Sequence, residues 1–197
     1  MNSKKTIILD LDSVVFDIAE PMRKAFLKHT GKDRPVDQWH CFSIATVYQE
    51  PIDDLLDIMI EERVLEEVQP YAYAKKSIDT LRDLGFYVIA CTNRSFHPHA
   101  RIVTEWSLSR SDIFVDRVVI NSPSQCKTLA CLAETGINRF DYLVDDHCSN
   151  TKKALDSGLT KTAVLISQPW NTYSNPLYFS SRADSLESFT EGLVRES

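Results

Sequence analysis

Five short apolar runs constrain this chain more than any other feature. TIILDLD (6–12), FYVIACT (86–92), RVVIN (117–121), FDYLVDD (140–146) and TAVLISQ (162–168) are rich in β-branched and aromatic residues, and none keeps a strict apolar–polar alternation. A strand with one wet face must alternate, so runs of this kind mark strands buried on both faces of a parallel sheet. Helix-patterned segments separate them. Between Lys75 and Leu84, Ile78, Leu81 and Leu84 recur on one face. After the second run Pro98 suits a first helical turn, with Ile102, Val103 and Trp106 expected on the buried side. Leu129, Leu132 and Ala133 repeat the pattern after the third. Parallel strands joined by helices need right-handed crossovers, so the predicted fold is α/β, a doubly wound three-layer parallel sheet.

The rhythm breaks once. Residues 16–74 contain no convincing strand. Helices are expected from Ser13 to Lys28 and from Pro51 to Val68, the second opened by Pro51 with Asp53 and Asp54 in its first turn. Ile52, Leu55, Leu56, Met59, Ile60, Val64 and Val68 give that helix one wide apolar face. Residues 16–74 therefore read as a helical cap inserted after the first strand, with 1–15 and 75–197 forming the core. No internal repeat or low-complexity tract is visible.

Composition narrows the chemistry. There are only 5 glycines in 197 residues, and no stretch fits G-x-x-x-x-G-K-[ST] or G-x-G-x-x-G. A Gly-rich phosphate loop is excluded. Gly85, Gly136 and Gly158 precede predicted strands, where a helix needs a left-handed terminator. The net charge is −6 and no basic run occurs, which excludes a duplex nucleic-acid footprint. An anionic substrate would need local cations. Five cysteines, without C-x-x-C, read as free thiols in a reducing compartment, so a cytoplasmic location is expected. TIILDLDSVVF is short and carries two aspartates, unlike a signal sequence or a membrane span, and no membrane association is expected.

The acids at strand ends carry the chemistry. Asp10 and Asp12 close the first run, and side chains two apart share a face. Asp145 and Asp146 close the fourth. Either pair alone reads as a polar strand exit. Together they place up to four carboxylates along the edge where open α/β sheets bind ligands. Clustered carboxylates repel unless a hard cation lies among them, and Mg²⁺ accepts such oxygens with water and phosphate. Thr92 and Asn93 supply neutral donors at that edge, and Lys127 the cation that an acidic protein needs for a phosphate. Arg94 either assists or is an exposed loop arginine. A cysteine phosphatase of the H-C-x₅-R kind is excluded, because Val47 and Ala154 occupy the arginine positions after His40-Cys41 and His147-Cys148. His97 and His99 lack a third ligand nearby and read as a helix start. Cys91 reads as a buried strand residue, and Glu61, Glu62, Glu66 and Glu67 as a solvated face.

This order resembles the haloacid dehalogenase-like superfamily of phosphohydrolases over nearly the whole chain. Its first motif, D-x-D-x-[TV] after an apolar strand, matches ILDLDSV; VIACT ending at Thr92 matches the second, Lys127 the third, and YLVDD the fourth. The resemblance implies Asp10 as a nucleophile forming an aspartyl-phosphate, and Asp12 as general acid and base with its backbone carbonyl on Mg²⁺. Asp10, Asp12, Asp145 and Asp146 would be the metal set, Asp145 as a side-chain ligand and Asp146 as a supporting acid. Thr92 and Lys127 would neutralise and orient the phosphoryl oxygens, while the stretch after Thr92 (NRSFHPH) has no counterpart in the family's motifs to carry over. Within the superfamily the chain is most similar to the 5′(3′)-deoxyribonucleotidase branch, through D-x-D-S-V-V-F-D with Asp17 and through QPWN at 168–171, although Ser13 replaces the branch's usual glycine. The implied substrate is a small phosphorylated metabolite, foremost a deoxyribonucleoside monophosphate. Trp39, Phe42 and Tyr48 would then stack on the base or else pack the cap core. A sugar-phosphate phosphatase and a catalytically silent binding protein on the same fold are the rivals. A receiver-type signalling module places its acidic pair and phosphoacceptor in the reverse order. A homodimer is compatible with all of these readings.

Overall fold

The structure is a computed structural model that describes residues 4–197. Its centre is a six-stranded sheet in which every pairing is parallel. The strands are β1 (Thr6–Leu9), β4 (Tyr87–Thr92), β5 (Arg117–Ile120), β6 (Phe140–Asp145), β7 (Thr160–Ile166) and β8 (Ser181–Ala183), in spatial order β5-β4-β1-β6-β7-β8. β1 pairs with β4 from Thr6↔Tyr87 to Leu9↔Ala90, and with β6 from Ile7↔Tyr142 to Leu9↔Val144. Strand order reverses direction at β1, so the carboxyl ends of β4, β1 and β6 flank the crevice that such sheets use for ligands. The five apolar runs each contribute one strand. The edge strand β8 was not foreseen: SRA has no apolar run, and two of its three residues are exposed.

Successive side chains of the buried strands divide between two cores. Ile8, Ile89, Cys91, Val119 and Leu143 pack with Cys131 of α7 (Lys127–Thr135) and Ala154 of α8 (Cys148–Asp156). Ile7, Leu9, Val88, Ala90 and Val144 pack with α5 (Ala74–Asp83), α6 (Ala100–Arg110) and α9 (Leu186–Glu196) through Ile78, Leu81, Val103, Leu108 and Leu186. Helices thus cover both faces, completing three layers. Gly85, Gly136 and Gly158 all take φ between 69° and 82° at helix ends.

Two helix faces differ from expectation. Ile102 and Trp106 of α6 are 69% and 58% exposed, and Leu129 of α7 is 52% exposed. The buried stripe of α6 instead includes Thr104 and Ser107 beside Val103 and Leu108, and Ser107 Oγ donates to Leu65 O at 2.9 Å. On α7 it is Lys127, Thr128 and Cys131, because this helix turns its lysine toward the sheet edge. Polar contacts chose these faces, so apolar spacing misplaced them. Pro98 also lies outside α6, which His99 precedes.

Residues between β1 and α5 begin with a turn where a helix was expected. Ser13 has φ 63°, its N–H donates to Phe16 O, and Phe16 N–H donates to Leu11 O. The following β2 (Phe16–Asp17) pairs antiparallel with β3 (Gln69–Pro70). Four α-helices and one 3₁₀ turn (Val36–Gln38) lie between these strands: the α-helices are α1 (Ala19–Thr30), α2 (Ile44–Tyr48), α3 (Ile52–Glu61) and α4 (Val64–Glu67). The helix expected over Pro51–Val68 is therefore two, broken where Arg63 adopts φ 53°. Its apolar face mostly holds, with Leu55, Met59, Val64 and Val68 buried, while Ile52 is exposed.

Candidate active site

The site is built at the carboxyl end of the central strand. Asp10 follows β1 directly, and its N–H extends the sheet by donating to Val144 O at 2.9 Å. Asp145 ends the neighbouring β6, and Asp146 follows; all three acids are buried. Each offers a carboxylate oxygen, and these oxygens lie within 4.8 Å of one another. Lys127, the first residue of α7, reaches between them. Its Nζ is 2.8 Å from Asp10 Oδ1 and 2.8 Å from Asp145 Oδ2. Asp145 also accepts from His147 N–H at 2.8 Å and from Asn150 Nδ2 at 3.0 and 3.1 Å.

One ammonium faces three carboxylates in a buried pocket, and the protonation equilibria register the surplus of negative charge. Burial raises the Asp10 carboxyl to about 7, with Asp145 and Asp12 adding repulsion and Lys127 opposing. Burial also lifts Asp146 well above the usual carboxylate range, reinforced by Asp10 and Asp145. Burial alone would depress Lys127, but Asp10 and Asp145 outweigh it and keep the ammonium charged. An all-oxygen, over-negative, preassembled donor set suits a hard divalent cation. Asp10, Asp145 and Asp146 are the residues able to hold it. A second group, His29 with Glu61 and Glu62, is exposed by comparison, and Lys28 and His29 already occupy Glu62 Oε1.

The side chain of Asp12 points elsewhere. Arg94 grips it with Nη2 at 2.5 Å from Oδ1 and Nε at 2.9 Å from Oδ2. Thr92 Oγ1 donates to the same carboxylate at 3.3 Å. The Asp12 carboxylate is therefore outside the three-acid cluster, which leaves its backbone carbonyl as the group expected on a metal. Arg94 is 0% exposed, its guanidinium 5.6 Å from the Phe16 ring centroid and its Nη1 3.4 Å from Thr104 Oγ1. It is neither an exposed loop arginine nor, in this conformation, free to grip phosphate. A buried guanidinium must be paired, and Asp12 supplies the matching fork. Asn93 accepts from Asn121 Nδ2 at 2.8 Å, leaving its own amide nitrogen for another partner.

The three expected aromatics separate. Tyr48 and Trp39 are buried among α1–α4, edge-on to each other at 6.1 Å, with Phe26 against Tyr48 at 4.9 Å. Trp39 Nε1 donates to Arg34 O. Neither ring has a free face for a base, so both are packing residues. Phe42 differs: it is 47% exposed and stacks on His147 at 3.8 Å with the planes 8° apart. Asn150, His147 and the second layer around QPWN were not assigned a role from sequence. Asn150 had a weak signal, an amide in the first turn of the helix after the acidic pair. His97 is buried, 3.6 Å from Glu66, and His99 N–H donates to His97 Nδ1, so this pair structures the start of α6.

A parallel sheet with three buried acids at its reversal point, opposed by one lysine, defines an α/β fold with a carboxylate-centred site. Among solved structures it is the fold of the haloacid dehalogenase-like hydrolases. A haloacid dehalogenase-like family hydrolase from Streptococcus pneumoniae is 16% identical, with 100% of each chain covered and a TM-score of 0.63. A predicted phosphatase from Clostridium acetobutylicum is 15% identical over 98% of this chain and 99% of that one, with a TM-score of 0.67. The L-2-haloacid dehalogenase of Xanthobacter autotrophicus, with chloropropionic acid covalently bound, is 12% identical over 98% and 99%, with a TM-score of 0.63. No family model and no curated protein matches the sequence. Among the described residues no helix is long and apolar enough to cross a membrane.

Proposed function

We propose that this chain is a Mg²⁺-dependent phosphatase of small phosphate monoesters, with deoxyribonucleoside monophosphates as its foremost substrates. The observation that carries the reading is the convergence of Asp10, Asp145 and Asp146 on one point, with Lys127 bridging the first two. Displacing a halide from carbon requires one carboxylate nucleophile and no assembly of repelling acids. Phosphoryl transfer concentrates negative charge and rewards positioned cations.

An Asp10 carboxylate oxygen attacks phosphorus, and the bond to the leaving oxygen breaks as Asp12 gives that oxygen a proton. Water then attacks the aspartyl-phosphate, Asp12 takes the water's proton, and Asp10 is released with phosphate. Lys127 pairs with the nucleophile and offsets charge on the phosphoryl group, while Asn93, and Thr92 once its hydroxyl leaves Asp12, donate to its oxygens. Before Asp12 can transfer a proton, one of its oxygens must leave Arg94. When bound at Asp10, Asp145 and Asp146, Mg²⁺ supplies charge neutralisation at the phosphoryl oxygens. The nucleotide preference is supported by the D-x-D-S-V-V-F-D and QPWN matches and by the exposed Phe42 ring beside His147.

The test is phosphate release from deoxyribonucleotides, ribonucleotides and sugar phosphates, with Mg²⁺ and with EDTA. Deoxyribonucleotides should turn over best, Mg²⁺ should be required, and Asp10→Asn should lower kcat on the order of 10⁴-fold. Turnover of sugar phosphates alone would overturn the substrate class. Activity surviving Asp10→Asn would overturn the mechanism.

A further inference from the structure

The turn after β7 reads Gln168-Pro169-Trp170-Asn171, and each of its three polar side chains is committed. Gln168 Nε2 donates to Ser13 O at 2.9 Å, anchoring the turn to the strained residue beyond Asp12. Asn171 Nδ2 donates to Asp146 O and Ile166 O, both at 2.7 Å. Asn171 Oδ1 accepts from Arg182 Nη1 at 2.8 Å and from Gln168 N–H at 3.1 Å. Trp170 Nε1 donates to Asp146 Oδ2 at 3.0 Å. From the other side the Trp39 ring packs at 5.9 Å from the Trp170 ring.

Asp146 needs such a hold. Lys127 makes its ion pairs with Asp10 and Asp145, and among the described residues the only side-chain hydrogen bond to the Asp146 carboxylate comes from Trp170. Without a donor, repulsion from the two neighbouring acids would turn that carboxylate away from the cluster. We propose that Trp170 is a positioning residue whose indole N–H aims Asp146 at the point shared with Asp10 and Asp145, giving the QPWN turn its role as the outer support of the cation site. This rests on the reading of the three acids as a Mg²⁺ site. Donors behind metal-ligating carboxylates commonly carry about 10- to 100-fold in metal affinity.

The test is calorimetric titration of the full chain with Mg²⁺ alone, without substrate, each variant first melted in EDTA and titrated well below its melting temperature. Trp170→Phe keeps the ring against Trp39 and deletes the N–H, and its Mg²⁺ Kd should rise at least about 10-fold. Trp39→Phe is the control for packing, since its own N–H goes to Arg34 O, and its Kd should stay at the wild-type value. An unchanged Kd in Trp170→Phe overturns the inference. Equal weakening in Trp39→Phe does so too, by assigning the effect to packing. A wild-type chain that binds no Mg²⁺ overturns the underlying cation-site reading, an outcome visible before any variant is compared.

Discussion

An ammonium buried beside three acids is held by charge, and Lys127 shows how narrow the balance is. Its Nζ lies 2.8 Å from two carboxylates that would otherwise face each other and Asp146. Lys127→Met keeps the side chain's length and apolar stem but leaves those acids without a partner. In the metal-free protein the substitution should cost about 3–5 kcal/mol at neutral pH, the range for breaking a buried pair. Denaturant unfolding in EDTA measures it. The loss should shrink in acid, where Asp10 and Asp146 take up protons; a cost independent of pH would contradict the arrangement. Arg94 teaches the complementary lesson. Its pairing with Asp12 spans 82 positions, so nothing near Arg94 in the sequence announces that it is buried.

At the scale of elements, strands proved easier to read than helices. β1, β4, β5, β6 and β7 are buried on both faces, so hydrophobicity alone marks them, whereas β8 is a three-residue edge strand that needs no apolar run. Asp10, Lys127, Asp145 and Asp146 were legible because strand and helix ends placed them. The supports Trp170, Asn171 and Asn121 were not, since each acts through a hydrogen bond across the fold. The faces of α6 and α7 were misread because buried Thr104, Ser107, Lys127 and Thr128 take positions that a search for apolar residues passes over. The break between α3 and α4 was missed because Arg63, at φ 53°, occupies a conformation that sequence reading assigns to glycine. The Arg63 side chain is exposed, and a left-handed backbone costs a non-glycine residue about 1 kcal/mol or more. Arg63→Gly should therefore raise the melting temperature by about 2–4 °C in calorimetry. A lower melting temperature would show that the left-handed backbone costs Arg63 little.

For the whole molecule, the acid cluster links protons, metal and stability. Asp10 titrates near 7 when folded and Asp146 well above its usual value, against about 4 in an unfolded chain. Between those values the folded, metal-free protein binds more protons than the unfolded one. Its stability should therefore fall as pH rises from about 4 to 7, the opposite of a salt-bridged aspartate. Melting in EDTA across this range should show the decline, and Asp146→Asn should flatten it. An equal slope in that variant would remove Asp146 from the account. Excess Mg²⁺ should restore stability near neutrality and do so less in acid, where protons compete for the same oxygens.

The position of β1 sets an order of events during synthesis. Among the described strands of the sheet it is made before its partners, yet it lies at the sheet's middle, with Thr6 waiting for Tyr87 on one flank and Ile7 for Tyr142 on the other. Pairings of such long range close slowly. Until those partners are made, Ile7, Ile8 and Leu9 remain an apolar segment with both edges open, a natural target for a holding chaperone. Asp10 is thus translated well before the residues that surround it: a nascent chain that stops before β6 lacks both a partner strand of β1 and an acid of the cluster.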